Sequence, residues 1–148
     1  MDESEKNTTQ TPQTTFVDPP DGELLNNSMI EMFKLVGQRK GKDILGVIFG
    51  CYLDNYERLI EELLEAQSSE DFHTIEASAH SLKSSSAQVG AIYLSSLYET
   101  VERAAVIHAH PRDKESFREH LLKTQHRVID AMKTVLSKKA DIPDIRET

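Results

Sequence analysis

Apolar residues recur at steps of three and four along most of this chain, the period of a helix with one buried face. Five helical segments follow from that pattern and its interruptions. The first is short: Asn27 or Ser28 can cap it, and Gly37 stops it after about Val36. The second runs from about Asp43 to Ala66 on the stripe Leu45, Ile48, Tyr52, Tyr56, Leu59 and Leu63. Gly46 and Gly50 sit inside it, each costing about 1 kcal/mol relative to Ala, at a spacing that would let a neighbouring helix come close. The third starts at Ser69, an N-cap followed by the dipole-favoured Glu70 and Asp71. Its narrow seam is Phe72, Ile75, Ala79, Leu82, Ser86 and Val89, and Gly90 ends it. The fourth spans about Ile92 to Ile107 with Leu94, Leu97, Val101 and Ala105 inward, and the fifth follows Pro111 with Phe117, Leu121, Val128, Met132 and Val135 inward.

The loops between the second, third, fourth and fifth segments are short, and short connections force antiparallel neighbours. The expected fold is therefore all-α: an antiparallel up-down-up-down four-helix bundle over residues 23–138, with an additional short N-terminal helix as a lid. Residues 1–22, rich in Thr, Gln, Asp and Pro, read as a disordered tail with Phe16 and Val17 as apolar exceptions. Residues 139–148 read as a second flexible tail, where Pro143 ends any helix.

Composition narrows the class. The 148 residues suit one domain. The net charge of −8 argues against nucleic acid as a partner. Five acidic residues against Lys6 give residues 1–22 a net −4, half of that excess. No apolar run approaches the roughly 20 residues of a membrane span, and the N-terminus has neither the basic nor the apolar region of a signal peptide. Cys51 is the single cysteine and reads as a small buried hydrophobe without an internal disulfide partner. A soluble cytoplasmic protein is expected, working without a cofactor and as a monomer.

The informative chemistry is on the third segment. With Ala79, Leu82 and Val89 inward, His80 lies about 100° around the helix, at the edge of the seam or outside it. His73, Ala77, Lys83, Ser84 and Ala87 share its side. An imidazole offers a neutral nucleophilic nitrogen near neutral pH. Lys83, one turn on, can pair with a phosphoryl group on that ring, and the small Ser84, Ser85 and Ala87 leave room for a partner's active site. Phosphoryl transfer is mostly positioning and charge stabilisation, so a carrier needs little more.

The run Ala79-His80-Ser81-Leu82-Lys83-Ser84-Ser85-Ser86-Ala87, followed by Val89-Gly90-Ala91, resembles the signature of the histidine phosphotransfer (HPt) family. Helix order and spacing extend the resemblance over about residues 24–137. Ser84 departs from it, where that family most often has glycine. The resemblance implies that His80 is phosphorylated, through Nε2, and that Lys83 is its basic neighbour. It implies receiver domains as partners, one on a hybrid sensor kinase and one on a response regulator. A polar side chain on the next helix often orients the histidine in that family. Glu102 could take that role through Nδ1–H, or be surface charge. The chain has no glycine-rich ATP motif, so a carrier rather than a kinase is expected.

Two other readings compete. A metal enzyme in a helical bundle wants paired Glu-x-x-His motifs. The chain offers Glu70-Asp71-Phe72-His73, which also reads as helix-start chemistry, and His108-Ala109-His110, which also reads as a solvated turn. A non-phosphorylated adaptor bundle would leave His80 incidental. His120 and His126 sit at no ligand spacing on the last helix and are expected to be exposed.

Overall fold

The computed structural model describes residues 16–141, with side chains through 138. Among these residues there are five α-helices, a 3-10 turn at Asp21–Glu23 and no strand. The helices are α1 (Asn27–Lys40), α2 (Ile44–Ser69), α3 (Phe72–Gln88), α4 (Ile92–Val106) and α5 (Lys114–Asp141). Helices α2 to α5 form the expected antiparallel bundle, and α1 packs on α2. The antiparallel register of α3 and α4 shows in two cross-helix pairs: Ser95 with Lys83, and Glu102 with His80.

The starts of α1, α2 and α3 are each set by a short polar side chain, whereas α4 follows Ala91 without a side-chain cap. The carboxamide of Asn26 accepts from Met29 N–H at 3.1 Å, and Asp43 accepts from Gly46 N–H at 2.9 Å. Asp71 accepts from both the backbone N–H and the hydroxyl of Thr74, at 3.2 and 2.6 Å. Asp71, not Ser69, therefore caps α3. The Ser69 hydroxyl turns back to the Glu65 carbonyl at 3.2 Å, and α2 runs through it.

The ends of α1 to α4 share one hydrogen-bond pattern, in which two successive N–H groups fold back onto the last free carbonyls. The left-handed residue is Gly41, Glu70, Gly90 or His108 in turn. Gly37, read as the stop of the first helix, lies inside α1, which continues to Lys40. Its place in the fold is close approach: a Cβ there would lie 2.6 Å from the Lys42 carbonyl oxygen. Gly46 and Gly50 do not bring a helix in. A Cβ at Gly46 would collide with the capping carboxylate of Asp43, and one at Gly50 would meet nothing within 4 Å.

The core follows the stripes closely on α3 and α4. Ile75, Ala79, Leu82, Ser86 and Val89 are buried, as are Leu94, Leu97, Tyr98, Val101 and Ala105. On α2 the buried set is Leu45, Phe49, Tyr52, Leu63 and Ala66, with Ile48, Tyr56 and Leu59 only partly covered. That small rotation exposes Cys51, which lies about 200° around the helix from Phe49. A polar chain crosses the bundle. Tyr98 donates to Gln125 Oε1 at 2.5 Å, Gln125 Nε2 donates to Tyr52 at 2.9 Å, and Tyr52 meets Ser86 at 3.0 Å.

Residues 16–22 lie along α5, in contrast to the solvated tail expected through residue 22. The Phe16 ring stacks on His120, with centroids 4.7 Å apart, and meets Phe117 edge-on at 5.8 Å. Asp18 pairs with Lys123 at 2.9 Å and with His120 Nδ1 at 3.3 Å. Arg127 donates to the Pro19 carbonyl at 2.8 Å and to Asp21 at 2.6 Å. His120 is therefore buried rather than exposed, its Nε2 2.7 Å from the Tyr93 hydroxyl. His126 is exposed, as expected. Helix α5 continues to Asp141, past the expected boundary at 139, while residues 1–15 and Pro143 lie outside the described residues.

Candidate functional site

The seam of α3 turns His80 outward, leaving its side chain 60% exposed. Glu102 reaches across from α4 and is the least exposed of the group at 16%. One carboxylate oxygen lies 2.8 Å from His80 Nδ1, and the other 2.6 Å from Lys83 Nζ. A carboxylate accepts, so Nδ1 carries a proton, and in the neutral ring Nε2 is then the nitrogen with the lone pair. Glu102 thus joins the two α3 side chains that the sequence places one turn apart, and it is not a free surface charge.

Partial burial raises the Glu102 pKa, but the hydrogen bonds from Lys83 and His80, with their charges, outweigh it and lower the value overall. The carboxyl group is ionised at neutral pH as a result. Ser95 anchors this part of α4 by donating to the Lys83 carbonyl at 2.9 Å. The sequence reading did not single it out; a small hydroxyl on an interhelical face was its only signal.

Ser84 is exposed and Ala87 half-buried on α3, so low side chains continue the surface on the side of His80 and Lys83. The Ser85 hydroxyl is turned back to the Ser81 carbonyl at 2.8 Å. The arrangement offers an accessible imidazole nitrogen, a fixed tautomer and a cation held within one turn of the ring.

The other histidines lie elsewhere. Glu70 is the left-handed cap of α2 and does not share α3 with His73. His108 stacks on Phe72, with centroids 5.4 Å apart, and His110 packs against the same ring, so that turn is partly built into the fold. Among the described residues no three His, Cys, Asp or Glu side chains gather into a metal-holding group.

A four-helix bundle presenting one tethered, outward histidine has the architecture of a histidine phosphotransfer module. A model of the Hpt domain family matches residues 47–138, more than half of the chain and nearly all of α2 to α5. The chain belongs to the Hpt domain family. Its family role is histidine phosphotransfer in a phosphorelay, as a carrier module that meets receiver domains and not as a kinase. A search of curated proteins and one of solved structures gave no match. No described helix is long and apolar enough to cross a membrane.

Proposed function

We propose that His80 is the phosphorylated residue of this module. Its Nε2 lone pair attacks the phosphorus of a receiver-domain aspartyl phosphate, the N–P bond forms and the aspartate oxygen leaves with its electron pair. The reverse displacement passes the phosphoryl group to the aspartate of a second receiver. The donor receiver belongs to a hybrid sensor kinase and the acceptor to a response regulator. The module works in the cytoplasm as a monomer, residues 23–138 being the carrier unit.

The observation that carries this reading is the 2.8 Å contact between Glu102 and His80 Nδ1. It selects the tautomer that leaves Nε2 free, on a side chain 60% exposed. Lys83 supplies positive charge for the phosphoryl oxygens. Ser84 and Ala87 keep the approach low for the receiver, and Ser84 adds a hydroxyl where glycine is commoner. The module needs no cofactor of its own, since the partner brings the rest of the chemistry.

Incubation with a phosphorylated receiver domain tests the assignment. Wild type should acquire acid-labile, base-stable label, and His80→Gln should acquire none. Label that persists in His80→Gln removes His80 from the mechanism.

A further inference from the structure

The carboxylate at the site does more than the orientation already assigned to it requires. A neutral amide could accept from Nδ1–H and hold the same ring angle. Glu102 adds a full negative charge, 2.8 Å from the ring nitrogen opposite the reacting one. That charge sits on a side chain 16% exposed, so water screens it only in part. It matters most when the ring carries a phosphoryl group, because Nδ1 is then the atom that decides how the ring departs.

Resting on the assignment of His80, we infer that Glu102 is the positioning residue that keeps the Nδ1 proton on phospho-His80, so that the ring leaves as neutral imidazole when the phosphoryl group is donated. The Nε2–P bond breaks with its electron pair going to Nε2, and an aspartate oxygen of the acceptor forms the new O–P bond. Nδ1 keeps its proton throughout. Without that proton the departing group would be imidazolate, a far poorer leaving group. In the accepting direction the same carboxylate balances the positive charge that appears on the ring as Nε2 bonds to phosphorus.

The surrounding charges fit this division of labour. The charged groups acting on Glu102 are Lys83 and His80, both on α3. On α4, Arg103 is paired with Glu99 at 3.3 Å, and on α2, the other helix packed along α3, Arg58 is paired with Glu62 at 3.0 Å. Glu76, one turn before His80 on α3, is a further acidic group on that helix. Lys83 is anchored on the second oxygen of Glu102 at 2.6 Å. The carboxylate therefore holds a proton donor with one oxygen and a phosphoryl-pairing cation with the other.

The test is the pH profile of donation. Wild type and Glu102→Gln are loaded from phosphoramidate, with His80→Gln as the blank for labelling elsewhere, and mixed with one receiver domain from pH 6 to 9. Gln keeps the acceptor and the shape but not the charge. Taking the wild-type rate over the variant rate cancels the receiver's own titration. The ratio should rise with pH, approaching about tenfold per unit above the range where an unaided imidazole loses its proton, near pH 6.5. In parallel, the Nδ1–H resonance of phosphorylated protein should persist to higher pH in wild type than in Glu102→Gln. A ratio that is constant across pH, with equal persistence of the resonance, means that Glu102 only orients the ring and overturns this inference alone. Wild type without label on His80 overturns the parent assignment and the inference with it.

Discussion

Replacing Gln125 should expose how much of the bundle's stability rests on its buried polar chain. Gln125 is 3% exposed and Tyr98 is fully buried. In Gln125→Ala the Tyr98 hydroxyl loses the acceptor it holds at 2.5 Å, and Tyr52 loses its 2.9 Å donor but retains Ser86 at 3.0 Å. An orphaned buried hydroxyl costs about 1–3 kcal/mol and a lost neutral hydrogen bond about 1 kcal/mol. The truncated side chain also leaves a void, which water can enter to offset part of the loss. Together these predict a destabilisation of about 2–4 kcal/mol. At roughly 2–4 °C per kcal/mol for a chain of this size, the melting temperature should fall by about 5–15 °C.

Tyr98→Phe is the control. It removes the hydroxyl itself and orphans no donor, while Gln125 keeps Tyr52, so it should cost only about 1 kcal/mol. The double variant removes both the donor and its acceptor, and should cost less than the two single losses summed. Thermal and urea unfolding followed by circular dichroism measure all three. Gln125→Ala that is milder than Tyr98→Phe, or strictly additive losses, would refute the argument that unpaired burial dominates.

Lys83→Ala should keep the fold, because a partly exposed ion pair is worth at most about 1 kcal/mol; its melting temperature should fall by less than about 4 °C. Transfer from a phosphorylated receiver should slow about tenfold, and unchanged kinetics in a rapid-quench assay would reduce Lys83 to a surface charge. At the N-terminal strap, burial lowers the His120 pKa against the opposing pull of Asp18. The neutral ring is the folded form, so its stabilisation is full above about pH 6.5 and is lost as pH falls through the depressed folded value. Phe16→Ala uncovers that ring, and should lower the melting temperature by about 2–6 °C while flattening its acid dependence; a variant as acid-sensitive as wild type would separate Phe16 from His120.

The stripes of α3 and α4 were legible because burial alone decides them, while on α2 Ile48, Tyr56 and Leu59, and on α5 Val135, are only partly covered. Every seam position of α3 from Ile75 onward is buried, and so are all four predicted positions of α4. Helix ends were less legible. Glycine was a good guide at Gly90, but Glu70 and His108 hold the same left-handed cap without being glycine, and Gly37 is a glycine that caps nothing. At the site, His80 and Lys83 declare themselves by spacing within one helix. Glu102 lies 22 residues from His80, and their meeting depends on the axial register of two helices, which no local pattern specifies. His120 was misjudged for a related reason: its cover comes from Phe16 and Asp18, residues whose composition reads as tail.

The turn after α3 connects these long-range features. Gly90 is left-handed at φ +85°, and its carbonyl accepts from Asn26 N–H at 2.8 Å. A Cβ at Gly90 would lie 3.2 Å from that same nitrogen. The residue that ends the histidine's helix is thus also the dock for the segment leading into α1. The register that brings Glu102 to His80 begins at this turn, since α4 starts at Ile92 and Ser95 already holds the Lys83 carbonyl. Adding a side chain at Gly90 would press on the N-terminal dock and on the α3–α4 connection together. A glycine read as a helix stop therefore helps to position a carboxylate twelve residues later, and the site depends on that turn as much as on the exposed face that carries His80.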